Sequence, residues 1–147
     1  MKHLRILFSI CVLSFLAPGC GTTDNPSDKP STGKFKATMG DRKYELDVTC
    51  DAFQKDRVMF RSDDSGYAEA KDTNGDNIAV TGSPGLGKGL SLALVINDNG
   101  EVYVVNSSIQ GQKLDLEMNG NTLTGRGKML GIMGQPTIEF TLTCKQN

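Results

Sequence analysis

The chain has 147 residues, 37% of them hydrophobic, which suits one ordinary domain burying about two-thirds of its unfolded surface. Lys and Arg number 16 against 17 Asp and Glu, and the net charge of −1 offers no basic face for nucleic acid. The one His, at position 3, leaves Ser-His-Asp triads and multi-His metal sites without their parts. No catalytic centre, metal or cofactor is nominated.

The N-terminus reads as an export signal. Lys2 and Arg5 precede an uncharged apolar run at 6–16 (ILFSICVLSFL), followed by small residues, which is the plan of a secretory signal peptide. The run is far short of the ~20 residues of a membrane-spanning helix. It ends in Leu16-Ala17-Pro18-Gly19-Cys20, which resembles the bacterial lipobox, where signal peptidase II cuts before a diacylglyceryl cysteine. Gly19 and Cys20 fit that pattern, whereas Ala17 and Pro18 stand where Leu and a small residue are usual. Ordinary signal peptidase cleavage after Gly19 is the alternative and leaves a soluble secreted protein. The expected divisions are therefore a signal peptide at 1–19, a lipidated Cys20 with a flexible linker at 20–33, and a β domain at 34–147.

Residues 21–33 (GTTDNPSDKPSTG) contain no large apolar side chain and two prolines, so they cannot offset the entropy of ordering. Such a spacer has a root-mean-square reach of roughly 20 Å. Loss of Lys2 and Arg5 leaves 14 basic against 17 acidic residues, a net charge of −3. Attachment to a membrane then depends on two or three acyl chains, since one anchors only marginally.

Period-two alternation dominates the remainder. Phe35, Ala37 and Met39 share one phase; so do Tyr44, Leu46, Val48 and Cys50; Leu90, Leu92, Leu94 and Ile96; Leu114, Leu116 and Met118; and Ile138, Phe140, Leu142 and Cys144. A turn at Gly40-Asp41 and the pairs Asn74-Gly75, Asn99-Gly100 and Asn119-Gly120 supply hairpin connections. Only residues 51–57 (DAFQKDR) have room for a turn or two of helix. The expected fold is all-β: an antiparallel β-sandwich or half-open barrel with at most one short helix.

Cys50 and Cys144 each close the inward phase of a strand, and they remain once Cys11 leaves with the signal and Cys20 is acylated. An oxidising compartment favours a bridge between them. Its 94-residue separation makes it worth about 4.5 kcal/mol in the chain-entropy picture. Two buried reduced thiols are the alternative.

Two motifs look chemical and fail on inspection. Residues 82–88 (GSPGLGK) match the start of a phosphate-binding loop, but Gly89 replaces the Ser or Thr that reaches Mg²⁺, and a strand follows where a helix is needed. A flexible loop with Gly85, Leu86, Gly87 and Lys88 as candidate ligand contacts is the better reading. Asp72, Asn74 and Asp76 have calcium-loop spacing, yet Asn77 replaces the sixth-position Gly and Ser83 the terminal Glu.

Cys20 with its Thr- and Pro-containing tether, Val48-Thr49-Cys50, the run 119–125 (NGNTLTG) and Phe140-Thr141-Leu142-Thr143-Cys144 form one layout. In it the chain resembles the mycobacterial 19 kDa lipoprotein antigen family. That resemblance implies a surface-exposed antigen without known enzyme activity, sensed by host Toll-like receptor 2 through its acyl group.

The functional expectation is a non-enzymatic lipoprotein on the outer face of the cell membrane (the outer membrane in a Gram-negative host), with lipid or glycolipid as candidate ligand. The alternative is an envelope binding module or inhibitor of a cell-wall enzyme such as lysozyme. Ser65-Gly66-Tyr67 only loosely matches the Ser-Gly-x-x-Tyr motif of such inhibitors, and the chain has no Trp for their Trp-x-Lys-Gly segment. A hydrolase using scattered carboxylates is the third reading, with no pair of acids nominated by spacing.

Overall fold

The computed structural model describes residues 29–62, 70–71, 77–86 and 88–145. Eleven strands form one antiparallel sheet: β1 (Ser31–Met39), β2 (Arg42–Gln54), β3 (Arg57–Arg61), β4 (Ala70–Lys71), β5 (Asn77–Pro84), β6 (Leu92–Asp98), β7 (Glu101–Asn106), β8 (Leu114–Asn119), β9 (Thr122–Lys128), β10 (Leu130–Gly131) and β11 (Thr137–Cys144). Their order is β10-β7-β6-β5-β3-β2-β1-β11-β9-β8, with β4 paired to β5 beside this row.

The sheet curls into a half-barrel. Only Met129 separates β9 from β10, yet β10 pairs with β7 at the opposite end of the row through Leu130–Val104 and Gly131–Tyr103. Counting β9 and β10 as one strand, eight strands therefore form a ring. The rung Val104–Val95–Thr81–Arg61–Thr49–Thr32 leads round to β1. Its return rises one residue to Gly33, a second from Cys144 to Thr143, and eight more from Thr122 to Leu130, a stagger of ten in all. Such stagger tilts strands against the barrel axis and lets eight of them close. The edge of β9 pairs with β8 and, past Met129, that of β10 pairs with β7; no pairing among the described residues joins β8 to β6, so a seam stays open there.

Inward phases from all sides fill the interior. Phe35 stacks on Phe60 and on Phe140, with ring centroids 5.6 Å apart in each case. Room for these rings comes from glycine on the neighbouring strand. Phe60 pairs with Gly82, Phe140 with Gly125 and Tyr103 with Gly131, and a Cβ on each glycine would fall 2.0, 2.2 and 2.5 Å from the facing ring. Aromatic rings laid over cross-strand glycines pin register and allow tight curvature.

Cys50 and Cys144 are bridged, with 6.2 Å between Cα atoms. They lie on β2 and β11, the two neighbours of β1, so the bridge passes over the strand between them. Gly33 is the residue it crosses: a Cβ there would sit 2.6 Å from Cys50 Sγ and 2.7 Å from the Thr143 carbonyl oxygen.

Three local expectations change. The linker gives way to the domain three residues early, since Ser31, Thr32 and Gly33 pair with Cys50, Thr49 and Val48. Residues 51–57 form no helix: β2 runs on to Gln54 with a bulge between Cys50 and Ala52, then turns into β3. Inward packing of Phe53 against the core outweighs the weak helical propensity there. The β8–β9 turn is framed on Gly120-Asn121, because Asn119 already pairs with Thr122 and Gly120 takes φ 58°. Asn99 and Gly100 form the β6–β7 turn as expected, with φ 51° and 88°. Asn74-Gly75 and the calcium-like spacing lie outside the described residues.

Candidate functional site

The outward phases of five neighbouring strands build an open polar groove of about 1020 Å³. Lys43, Thr38, Glu139, Arg126 and Asp115 form one rung across β2, β1, β11, β9 and β8. Glu45, Lys36, Thr141, Thr124 and Glu117 form the next. On the three central strands the hydroxyls of Thr38, Thr124 and Thr141 alternate with the charged groups of Lys36, Arg126 and Glu139, and charge also lines the margins. Much of that charge is already paired: Lys36 Nζ lies 3.2 Å from Glu45, Arg126 Nε 3.1 Å from Glu139, and Lys113 Nζ 3.3 Å from Asp115. Lys43 and Glu117 enter no ion pair among the described residues. Exposed pairs of this kind contribute little stability, but their donors and acceptors can exchange water for the hydroxyls of a polar ligand.

A second polar group spans the far mouth of the barrel, beside the Asn99-Gly100 turn. Asp98 is only 2% exposed. It accepts hydrogen bonds from Arg42 Nη1, from Tyr44 Oη at 2.8 Å and from Asn99 Nδ2 at 3.0 Å. β3 and β5 separate β2 from β6 in the sheet, so these bonds tie strands that do not pair. Burial, and then the neighbouring Asp98 carboxylate, push the Tyr44 phenol well above its ordinary value of 10. Three donors on one carboxylate make this a structural clasp, with its hydrogen-bonding capacity turned inward.

The expected site residues fall in different places. Cys50 and Cys144 are joined. Cys20 and Gly87 lie outside the described residues, as does Ser65-Gly66-Tyr67. Gly85 follows β5 and is half-buried against Ser91 and Ser108; a Cβ there would meet Ser108 Oγ at 2.3 Å. Leu86 and Lys88 project into solvent. The first residues of the phosphate-loop match, 82–84, belong to β5, and Gly82 serves as a seat for Phe60. No group of three or more His, Cys, Asp and Glu among the described residues is arranged to hold a metal ion, and no described helix is long and apolar enough to cross a membrane.

Neither the groove nor the clasp was singled out from sequence. The groove's outward residues on β1, β2, β8 and β11 were visible as polar phases, but β9 was not, so its two halves had no link. Asp98 offered no signal beside its hairpin turn. No protein family, curated protein or solved structure matches this chain.

Proposed function

We propose that the chain is an exported bacterial lipoprotein, held at the outer face of a membrane by diacylglycerol on Cys20, whose barrel is a non-enzymatic recognition module. The cystine carries this reading. A bridge between Cys50 and Cys144 persists in oxidising compartments, where the basic, apolar leader at 1–16 would send the chain. The layout shared with the 19 kDa lipoprotein antigen family adds support, and it makes the acyl group the part a host Toll-like receptor 2 would sense.

The rings of Phe35, Phe60 and Phe140 occupy the barrel interior, which directs recognition to the outer face. The groove, where threonine hydroxyls alternate with charged donors and acceptors, suits a polyhydroxylated ligand such as a glycolipid headgroup. The test is growth of an expressing bacterium with labelled palmitate, followed by intact-mass analysis of the native protein. Wild type is expected to carry label and a mass beginning at modified Cys20, with Cys20→Ala unlabelled. Label retained in Cys20→Ala, or an unmodified wild-type mass, refutes the anchor.

A further inference from the structure

The stagger of the barrel fixes which loops share an end with the tether. Ten residues over eight strands is about one and a quarter residues per strand. Ser31, where the chain enters the barrel, lies on a hydrogen-bonded rung with Cys50, Phe60 and Gly82, three strands away. The residue level with Ser31 along the barrel axis is therefore about four beyond Gly82, which is Leu86. The same correction brings Arg57 on β3 and Lys145, just after β11, to that level.

Apolar and cationic side chains gather at this end. Leu86 is 96% exposed. Phe53, Leu90 and Met118 border the mouth, packed on the core yet incompletely covered. Lys55, Arg57, Lys88 and Lys145 stand exposed around them, none in an ion pair among the described residues, against the exposed acids Asp56 and Glu117. An apolar projection ringed by cations matches the boundary of an anionic bilayer, where apolar groups bury below phosphates. The tether supplies the orientation: the covalent chain from Cys20 to Ser31 can span at most about 38 Å, which keeps this end near whatever holds Cys20.

We infer that the entry end of the barrel rests on the membrane, with Leu86 in the headgroup–acyl boundary and Lys55, Arg57, Lys88 and Lys145 on lipid phosphates. The orientation rests on the reading of Cys20 as the anchor; the contact chemistry does not. The far end also exposes apolar side chains, Ile132 at 92% and Met133 at 81%, together with the exposed cations Lys43 and Lys128, but it lies away from the tether. It is the internal control.

The chain has no Trp, so Leu86→Trp and Ile132→Trp each introduce a sole indole. The full processed protein is purified and mixed with phosphatidylglycerol–phosphatidylcholine vesicles containing brominated acyl chains. L86W is expected to shift to the blue and be quenched, and I132W to do neither. Adding Lys88→Gln and Lys145→Gln to L86W is expected to weaken vesicle binding by about fivefold per cation. Quenching of L86W in protein that mass analysis shows to be unacylated upholds the contact and overturns the anchor. Acylated protein that sediments with vesicles while L86W stays unquenched upholds the anchor and overturns the contact. Quenching of I132W in place of L86W also overturns the contact, and an unacylated, unquenched L86W protein overturns both.

Discussion

Replacing Gly82 with Ala would plant a methyl carbon 2.0 Å from Phe60 Cε1 and 2.5 Å from Cδ1. Carbon atoms prefer roughly 3.5 Å or more, so the ring must retreat by about 1.5 Å or the strands must part. Retreat is blocked, because Phe60 is 1% exposed and stacks on Phe35, which stacks in turn on Phe140. Overpacking a filled core costs about 1–3 kcal/mol, and a clash with several ring atoms belongs near the top of that range. Removing glycine's unfolded-state freedom returns about 0.5–1 kcal/mol, since the φ of Gly82 is not positive and Ala can adopt it. The expected net loss is about 2 kcal/mol. Phe60→Leu alone should cost about 1.5 kcal/mol through lost burial and stacking. The double variant should then lose at least ~1 kcal/mol less than the two single losses combined, because leucine leaves space for the new methyl. Urea unfolding of the bridged protein, followed by far-ultraviolet circular dichroism, measures all four proteins. A neutral or stabilising Gly82→Ala, or effects additive within ~0.5 kcal/mol, would refute the assignment of Gly82 as the seat of the Phe60 ring.

Two further effects follow from the same structure. Changing Cys50 and Cys144 together to Ser should lower stability by about 4.5 kcal/mol, given the 94-residue separation. Reductant should have that effect on wild type and none on the double variant in urea titrations. Tyr44→Phe removes a donor from buried Asp98 and should cost about 1–2 kcal/mol at neutral pH. Because the folded phenol titrates above its ordinary value of 10, its stabilising effect is complete below pH 10 and lost as pH rises toward the folded value. Wild type should therefore lose stability above pH 10 more steeply than Tyr44→Phe. Parallel pH profiles would show that the phenol is not held neutral by its burial.

Half-buried strands announced themselves. β1, β2 and β11 alternate cleanly because one face meets the core and the other meets water, and each was legible as such; β6 was legible from its inward Leu92, Leu94 and Ile96, although Ala93 and Val95 make its outer face apolar too. β7 and β9 were not, for opposite reasons. Val102, Tyr103, Val104 and Val105 are apolar on both faces, which hides the period, although only Tyr103 and Val105 are buried. On β9 the inward positions after Leu123 are Gly125 and Gly127, which carry no side chain to mark a phase. Gly125 is bare because Phe140 needs its place, a fact that exists only once β9 and β11 are paired. The cystine was legible from cysteine arithmetic. The groove needed the register of five strands, which local pattern does not encode.

Those same inward glycines link the fold to where recognition can occur. Rings from β3, β11 and β7 lean over Gly82, Gly125 and Gly131, so the aromatic volume that a wider barrel would leave as a ligand cavity is spent on closing this one. Enlarging those glycines drives the rings against a filled core; shrinking the rings opens a void there. Either change trades packing for space at an energetic loss, and the interior is under constraint from both sides. The outward rungs carry no such constraint: Lys36, Thr38, Thr124, Arg126 and Thr141 can change without touching a ring. A barrel built this way holds its shape from within, and its outer face can change without loss of core packing. For the recognition role proposed above, the polar groove across β2, β1, β11, β9 and β8 is therefore the surface on which binding variants should be sought first.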